Sequence, residues 1–414
     1  MNIEENAKYC LGCKNKNCQK GCPLSNDITA AIRYVKDKDY LSAYKEFSKT
    51  TVLSSICGRI CPHFRQCQSK CIRGIKGESV EIGKIEAFVG DYGLENNIEI
   101  ENYPEYNKLD KKVAVIGSGP AGISCAATLK RLGVEHVDIY EKKNYLGGLL
   151  VHGIPDFRLS KDIVRSVYDK ILNLGINVKY NICLGKDITL SELKKQYDAI
   201  FVSVGANISS KMNIDGENLD GVYGGNEILE YKNFPDFTGK KVAVIGGGNV
   251  AMDTCRTIKR LGADKVYVIY RRAEEQMPAD KKEIEAAKNE GIEFRFLNNI
   301  VKILGNSKVE KIECIKTQLV FEEGKRPYPV NVENSNYTLN MDYVIMAIGS
   351  HIQKEDVKEL ELNEWNKVKI DENYRTNIKG IYAGGDVAGI TATVANASAS
   401  GRDAAFKIYK DLDI

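Results

Sequence analysis

Residues 112–122 read Lys112-Val-Ala-Val-Ile116-Gly117-Ser118-Gly119-Pro120-Ala121-Gly122. The run up to Ile116 is short and apolar, the pattern of a strand buried on both faces of a parallel sheet. Glycines at GxGxxG spacing follow, permitting a tight turn and close approach to a pyrophosphate at a helix N-terminus. An apolar helix pattern comes next, then the strand Val137-Asp-Ile139-Tyr140-Glu141. Glu141 ends that strand, where an acid accepts a ribose hydroxyl. The glycines alone are a weak signal. Strand, loop, helix, strand and acid in this order predict a doubly wound α/β nucleotide-binding domain.

The pattern recurs. Lys241-Val-Ala-Val-Ile245 leads into Gly246-Gly-Gly248-Asn249-Val250-Ala251, a helix to Leu261 and the strand Val266–Tyr270. This strand ends in Arg271-Arg272. An acid there would repel a 2′-phosphate, whereas Arg pairs with it, so the pattern points to NADP(H) in preference to NAD(H). A solvated basic pair at a strand end is the plainer alternative. Ala199–Gly205 and Val344–Gly349 are similar buried strands that mark crossings between the two nucleotide domains. Gly384-Gly385-Asp386, then Thr391-Ala-Thr393-Val394 and a helix of small residues, predict a second phosphate-contacting turn. The first domain is therefore expected as 109–210 plus 347–414, with 211–346 inserted. Two sites imply one nucleotide held permanently and one visiting.

Composition narrows the class. Over 414 residues, 59 Lys and Arg against 56 Asp and Glu leave a net charge of +3. That imbalance is too small for a nucleic-acid or membrane-surface protein as a whole. No stretch approaches 18 apolar residues, and the start lacks a signal-peptide pattern. A reducing, cytoplasmic setting is expected, where 12 cysteines bind metal or do redox chemistry and are not structural disulfides.

Eight of the cysteines precede residue 72, in a helical head expected over 1–108. Ser25-Asn26-Asp27 is a helix start ahead of Ile28, Ile32 and Val35; Asp39 opens a second helix, and a third pattern runs from about Ser79 to Tyr92. The first run is Cys10-x2-Cys13-x4-Cys18-x3-Cys22-Pro23, the second Cys57-x3-Cys61-Pro62-x5-Cys67-x3-Cys71. Iron–sulfur clusters are held by thiolates, and in two-cluster ferredoxins the Cys before Pro ligates the other cluster. By that geometry Cys10, Cys13, Cys18 and a returning cysteine hold one cluster, and Cys22 joins the second run on another. Zinc, which favours paired CxxC, is the alternative. Glu86 shares a helix face with Ile82, Ile85 and Val89, so it either ligates a cluster or pairs with a base such as Arg73 or Lys84.

Taken together, the tandem loops resemble the pyridine nucleotide-dependent flavoproteins. The whole chain resembles, more specifically, the small (beta) subunits of NADPH-dependent glutamate synthase. The head cysteines, His152-Gly-Ile-Pro-Asp-Phe-Arg158, Gly246–Asp253, Tyr270-Arg271-Arg272, Met277-Pro278 and Ala383–Asp386 carry this resemblance. It implies FAD on Gly117, Gly119, Pro120, Ala121, Gly122, Glu141, Lys142, Gly148, Arg158, Gly385, Asp386 and Thr393. It implies NADPH on Gly246, Gly248, Asn249, Val250, Ala251, Arg271 and Arg272. It also implies two [4Fe-4S] clusters, one on Cys10, Cys13, Cys18 and Cys71, the other on Cys22, Cys61, Cys67 and Glu86, with Cys57 a bystander. The last position is Gln in related dihydropyrimidine dehydrogenases. The chain is somewhat shorter than typical glutamate synthase small subunits, which leaves the partner open: a larger catalytic subunit or a ferredoxin-like acceptor. No residue is expected to act as an acid or base.

Three rivals follow. A dihydropyrimidine dehydrogenase or ferredoxin:NADP oxidoreductase subunit would share these motifs. A self-contained disulfide reductase needs a redox cysteine pair beside the flavin, and Cys125, Cys183, Cys255 and Cys314 stand alone, as buried inert thiols would. A flavin reductase with a zinc-stabilised head is the third. The chain has no residues to spare for a glutaminase, an FMN barrel or a pyrimidine site.

Overall fold

The computed structural model describes residues 2–230, 234–390 and 393–413. The opening run lies in the strand Leu109–Ile116, whose last four residues are fully buried. It is the centre of a five-stranded parallel sheet in the order Ile381–Ala383, Ala199–Val202, Leu109–Ile116, Val134–Glu141, Asn177–Tyr180. The repeated run, Lys241–Ile245, holds the same place in a second parallel sheet: Val222–Gly224, Tyr343–Met346, Lys241–Ile245, Lys265–Tyr270, Glu293–Phe296. Each glycine loop thus leaves the carboxyl end of a strand where the strand order reverses, which is where open α/β sheets bind ligands.

Residues 1–151, 156–206 and 352–414 form one compact unit; residues 152–155 and 207–351 form the other. The second unit adds an antiparallel sheet from Asn298–Leu304, Lys311–Val320, Tyr328–Asn331 and Tyr337–Asn340, which carries no glycine-loop motif. No helix among the described residues is long and apolar enough to cross a membrane.

The head is helical as expected. Asp27 and Asp39 cap the helices Ile28–Lys36 and Tyr40–Ser48, accepting from Ala30 N and Ser42 N. The third pattern is the helix Ile82–Glu95. It crosses Ser54–Ile60 at very short range: a Cβ on Gly58 would lie 2.3 Å from Ala87 N, and one on Gly90 would lie 2.4 Å from Ser55 N. That approach is what brings Glu86 up to Cys57 in the shorter helix and Cys61 at its end.

The head joins the first nucleotide domain through cations that satisfy head carbonyls. Arg131 donates to Ser48 O, and Arg402 to Leu24 O and Thr50 O. Lys170 donates to Gly93 O and sits 4.7 Å from the Tyr44 ring centre.

Candidate functional site

The three glycines of the first loop do different work. Gly117 has φ +94°, the left-handed region, and a Cβ there would also meet Ser203 O at 2.6 Å. Gly122 packs its helix on the loop, a Cβ meeting Gly117 O at 1.9 Å. At Gly119 a Cβ would meet nothing within 4 Å. Gly119 is also the N-cap of Pro120–Arg131, and no side chain caps that helix. Uncapped first-turn amides beside open space fit a pyrophosphate.

Ser118, a position the GxGxxG spacing leaves free, organises the loop. Its N and Oγ donate to Glu141 Oε2 at 3.0 and 2.6 Å, its Oγ accepts from Gly147 N, and its carbonyl accepts from the buried Tyr168 hydroxyl. Glu141 is buried and also accepts from Lys143 N. It ties the loop to the second strand, in addition to the ribose role expected of it. Gly148 lies against Gly119, Lys142 is exposed beside Glu141, and Arg158 is half-buried ahead of the helix Lys161–Leu172.

On the other edge, Gly385 has φ +70° and donates to Ser400 Oγ. Asp386 lies in the first turn of the short 3-10 helix Gly385–Ala388, and burial holds its carboxyl above the usual range. Thr393 caps Val394–Leu412 by accepting from Asn396 N. Thr391 and Ala392 lie outside the described residues.

The second loop repeats the logic. Gly246 has φ +141°, Gly248 caps Asn249–Arg260 without a side-chain bond, and a Cβ on Gly248 would approach only Pro278, at 3.9 Å. Ala251 is fully buried where the first loop has Gly122. Val250 is exposed on the first turn, and Asn249 Oδ1 accepts from Asp280 N. Arg271 is exposed and Arg272 half-buried. Arg272 Nε is buried with no acceptor among the described residues. A buried donor left open at this strand end fits a 2′-phosphate.

In the head, Cys10, Cys13, Cys18 and Cys71 line one cavity. Burial, with Cys10 and Cys71 close by, pushes the Cys18 thiol up to about 11. Cys22, Cys61, Cys67 and Glu86 form a second group. Burial and then Glu86 push Cys22 up to about 12 and Cys67 well above its ordinary value. Burial raises Glu86 itself to about 8, against one hydrogen bond from Asn26 Nδ2 at 3.2 Å. The ion-pair alternative for Glu86 is not what forms: Lys84 pairs with Glu81, and Arg73 donates to Tyr9 O over the Tyr9 ring. Cys57 is buried close to Cys61.

Spacing bears on which metal fits. Among the described residues, the one trio of ligand atoms within 4.8 Å of each other is Asp110, Glu135 and His136, all exposed. A zinc ion would draw thiolates to about 3.8 Å of one another. Among the described residues no three head sulfurs gather that closely, which suits a larger inorganic core. Cys125, Cys255 and Cys314 are buried, but Cys183, expected to be buried as well, is partly exposed near Asp356.

Comparison with known proteins agrees with this layout. Residues 111–401 match the pyridine nucleotide-disulphide oxidoreductase family, and residues 1–98 match dihydropyrimidine dehydrogenase domain II, 4Fe-4S cluster. The glutamate synthase [NADPH] small chain of Escherichia coli K12 is 33% identical, over 99% of this chain and 91% of its own length. The NADP(+)-dependent formate dehydrogenase subunit beta of Moorella thermoacetica is also 33% identical, over 94% of this chain and 59% of its own. Among solved structures, Mycobacterium tuberculosis FprA in complex with NADPH superposes with a TM-score of 0.65 at 20% identity, covering 74% of this chain and 85% of that one. Thioredoxin reductase of T. acidophilum gives 0.56 at 20%, covering 73% and 98%. The chain belongs to the pyridine nucleotide-disulphide oxidoreductases, among the small chains of NADPH-dependent glutamate synthase and their relatives.

Proposed function

We propose that this chain is the electron-input subunit of an NADPH-dependent oxidoreductase, taking electrons from NADPH and handing them to a larger catalytic subunit or a ferredoxin-like acceptor. When bound, FAD and two [4Fe-4S] clusters supply the conversion of a two-electron donor into single electrons.

The chain's own part is to bind and orient. The open amides after Gly119 and the Gly385–Asp386 turn hold FAD, with Glu141, Lys142, Gly148, Arg158 and Thr393 around it. The amino end of Val394–Leu412 supplies positive partial charge for the flavin N1/O2 edge. The loop Gly246–Ala251 holds the NADPH pyrophosphate, and Arg271 and Arg272 hold its 2′-phosphate. Cys10, Cys13, Cys18 and Cys71 hold one cluster, and Cys22, Cys61, Cys67 and Glu86 the other. As a bound ligand, Glu86 would stay ionised where burial alone favours its neutral form.

One observation carries this reading. Gln66, next to Cys67, donates from Nε2 to Thr393 Oγ1 at 3.4 Å, and the Cys61 thiol lies near the Ala395 amide in the first turn of Val394–Leu412. The second thiol group therefore abuts the helix that follows the flavin-side turn. The test is an anaerobic titration of the purified holoprotein with NADPH. Bleaching of flavin absorbance, with further electrons taken up by iron, supports the reading. A flavin that NADPH leaves oxidised would refute it.

A further inference from the structure

Resting on that reading, we infer that the surface over Cys10, Cys13, Cys18 and Cys71 is the docking face for an acidic protein carrying a one-electron centre. Three observations converge there. These four cysteines are all partly exposed, whereas of the other group only Cys22 is, and Cys61, Cys67 and Glu86 are buried. Leu11 and Ile72 line the same cavity as the four thiols and are exposed. Ile75, which the 3-10 turn Ile72–Ile75 places in line with Ile72, is 76% exposed. Apolar side chains left in water around a redox site mark a contact surface.

Charge selects the partner. Residues 7–26 and 47–77 contain no Asp or Glu and ten Lys and Arg, in a chain whose net charge is only +3. Lys14, Lys20, Arg65, Lys70 and Lys76 are all exposed. An apolar centre with a basic rim favours an acidic partner, steers it in and disfavours a basic one. The exchange balances: NADPH gives NADP+, a proton and two electrons, and two acidic acceptors each gain one.

The test uses holoprotein purified anaerobically, an acidic two-iron ferredoxin and a lysine-rich cytochrome c as protein acceptors, and uncharged menadione as a small one. Lys14→Glu/Lys70→Glu/Lys76→Glu reverses the face. Lys186→Glu/Lys194→Glu/Lys195→Glu makes the same charge change elsewhere, and Ile75→Asp strikes the apolar centre alone. Iron content is checked in each. We expect ferredoxin to be the better protein acceptor, its kcat/KM to fall with salt, and the face reversal to lower it about tenfold or more. Ile75→Asp should lower it too, while the control triple and all menadione rates hold. Equal ferredoxin rates in the face and control triples, or a preference for cytochrome c, with menadione reduction intact, would overturn the docking face alone. Wild-type protein that reduces menadione but not ferredoxin would overturn it too. Failure of NADPH to reduce menadione would overturn the electron-input reading, and the docking face with it.

Discussion

Alanine at Arg271 or Arg272 should change coenzyme choice without disturbing the fold. The backbone carries the local structure: Arg271 O accepts from Thr317 Oγ1 at 2.8 Å and Arg272 O from Leu297 N at 3.1 Å, and both bonds survive truncation. What is lost is charge. A unit pair at about 4 Å is worth about 1 kcal/mol in water. Arg271 is exposed, so Arg271→Ala should raise the KM for NADPH about fivefold. Arg272 is half-buried with its Nε unanswered, so its bond to a phosphate falls in the charged range of about 1.5–3 kcal/mol. Arg272→Ala should then raise that KM about 10- to 150-fold. NADH lacks the 2′-phosphate, and its KM should not move. The assay is steady-state reduction of menadione with each coenzyme. Equal shifts for NADPH and NADH, or no shift with either, would refute the reasoning.

Three other outcomes follow from the geometry. Gly119→Ala should fold normally but lose FAD absorbance, because its Cβ enters the open cradle; Gly122→Ala should lower the melting temperature, because its Cβ meets Gly117 O at 1.9 Å. Glu86→Ala should cost about half of the iron measured by elemental analysis, whereas Cys57→Ala should cost none. Lys170, lowered to about 8 by burial, binds its proton more weakly folded than unfolded. Its contribution to stability should therefore rise between about pH 8 and pH 10.5, seen in urea unfolding as a gap between wild type and Lys170→Met that grows with pH.

Both glycine loops were legible because each demand on the backbone leaves its own mark: a turn, an open approach, a close packing. Ser118 was not, since it fills a free position of the motif. Its role exists only once Glu141, Gly147 and Tyr168 converge on it. Glu86 was half legible. Periodicity put it on an apolar face, but only the folded chain shows Lys84 and Arg73 engaged elsewhere. Composition divided head from body near residue 108, yet the head and the first nucleotide domain form one compact unit. Arg131, Lys170 and Arg402 make that join by donating to backbone carbonyls, which carry no residue signature.

The most direct test of the account is the iron, zinc and flavin content of protein purified under strict anaerobiosis. About eight irons and one FAD per chain, without zinc, is the expected result for two four-iron clusters beside one flavin. Zinc with no iron would contradict it and leave a flavin reductase with a zinc-stabilised head.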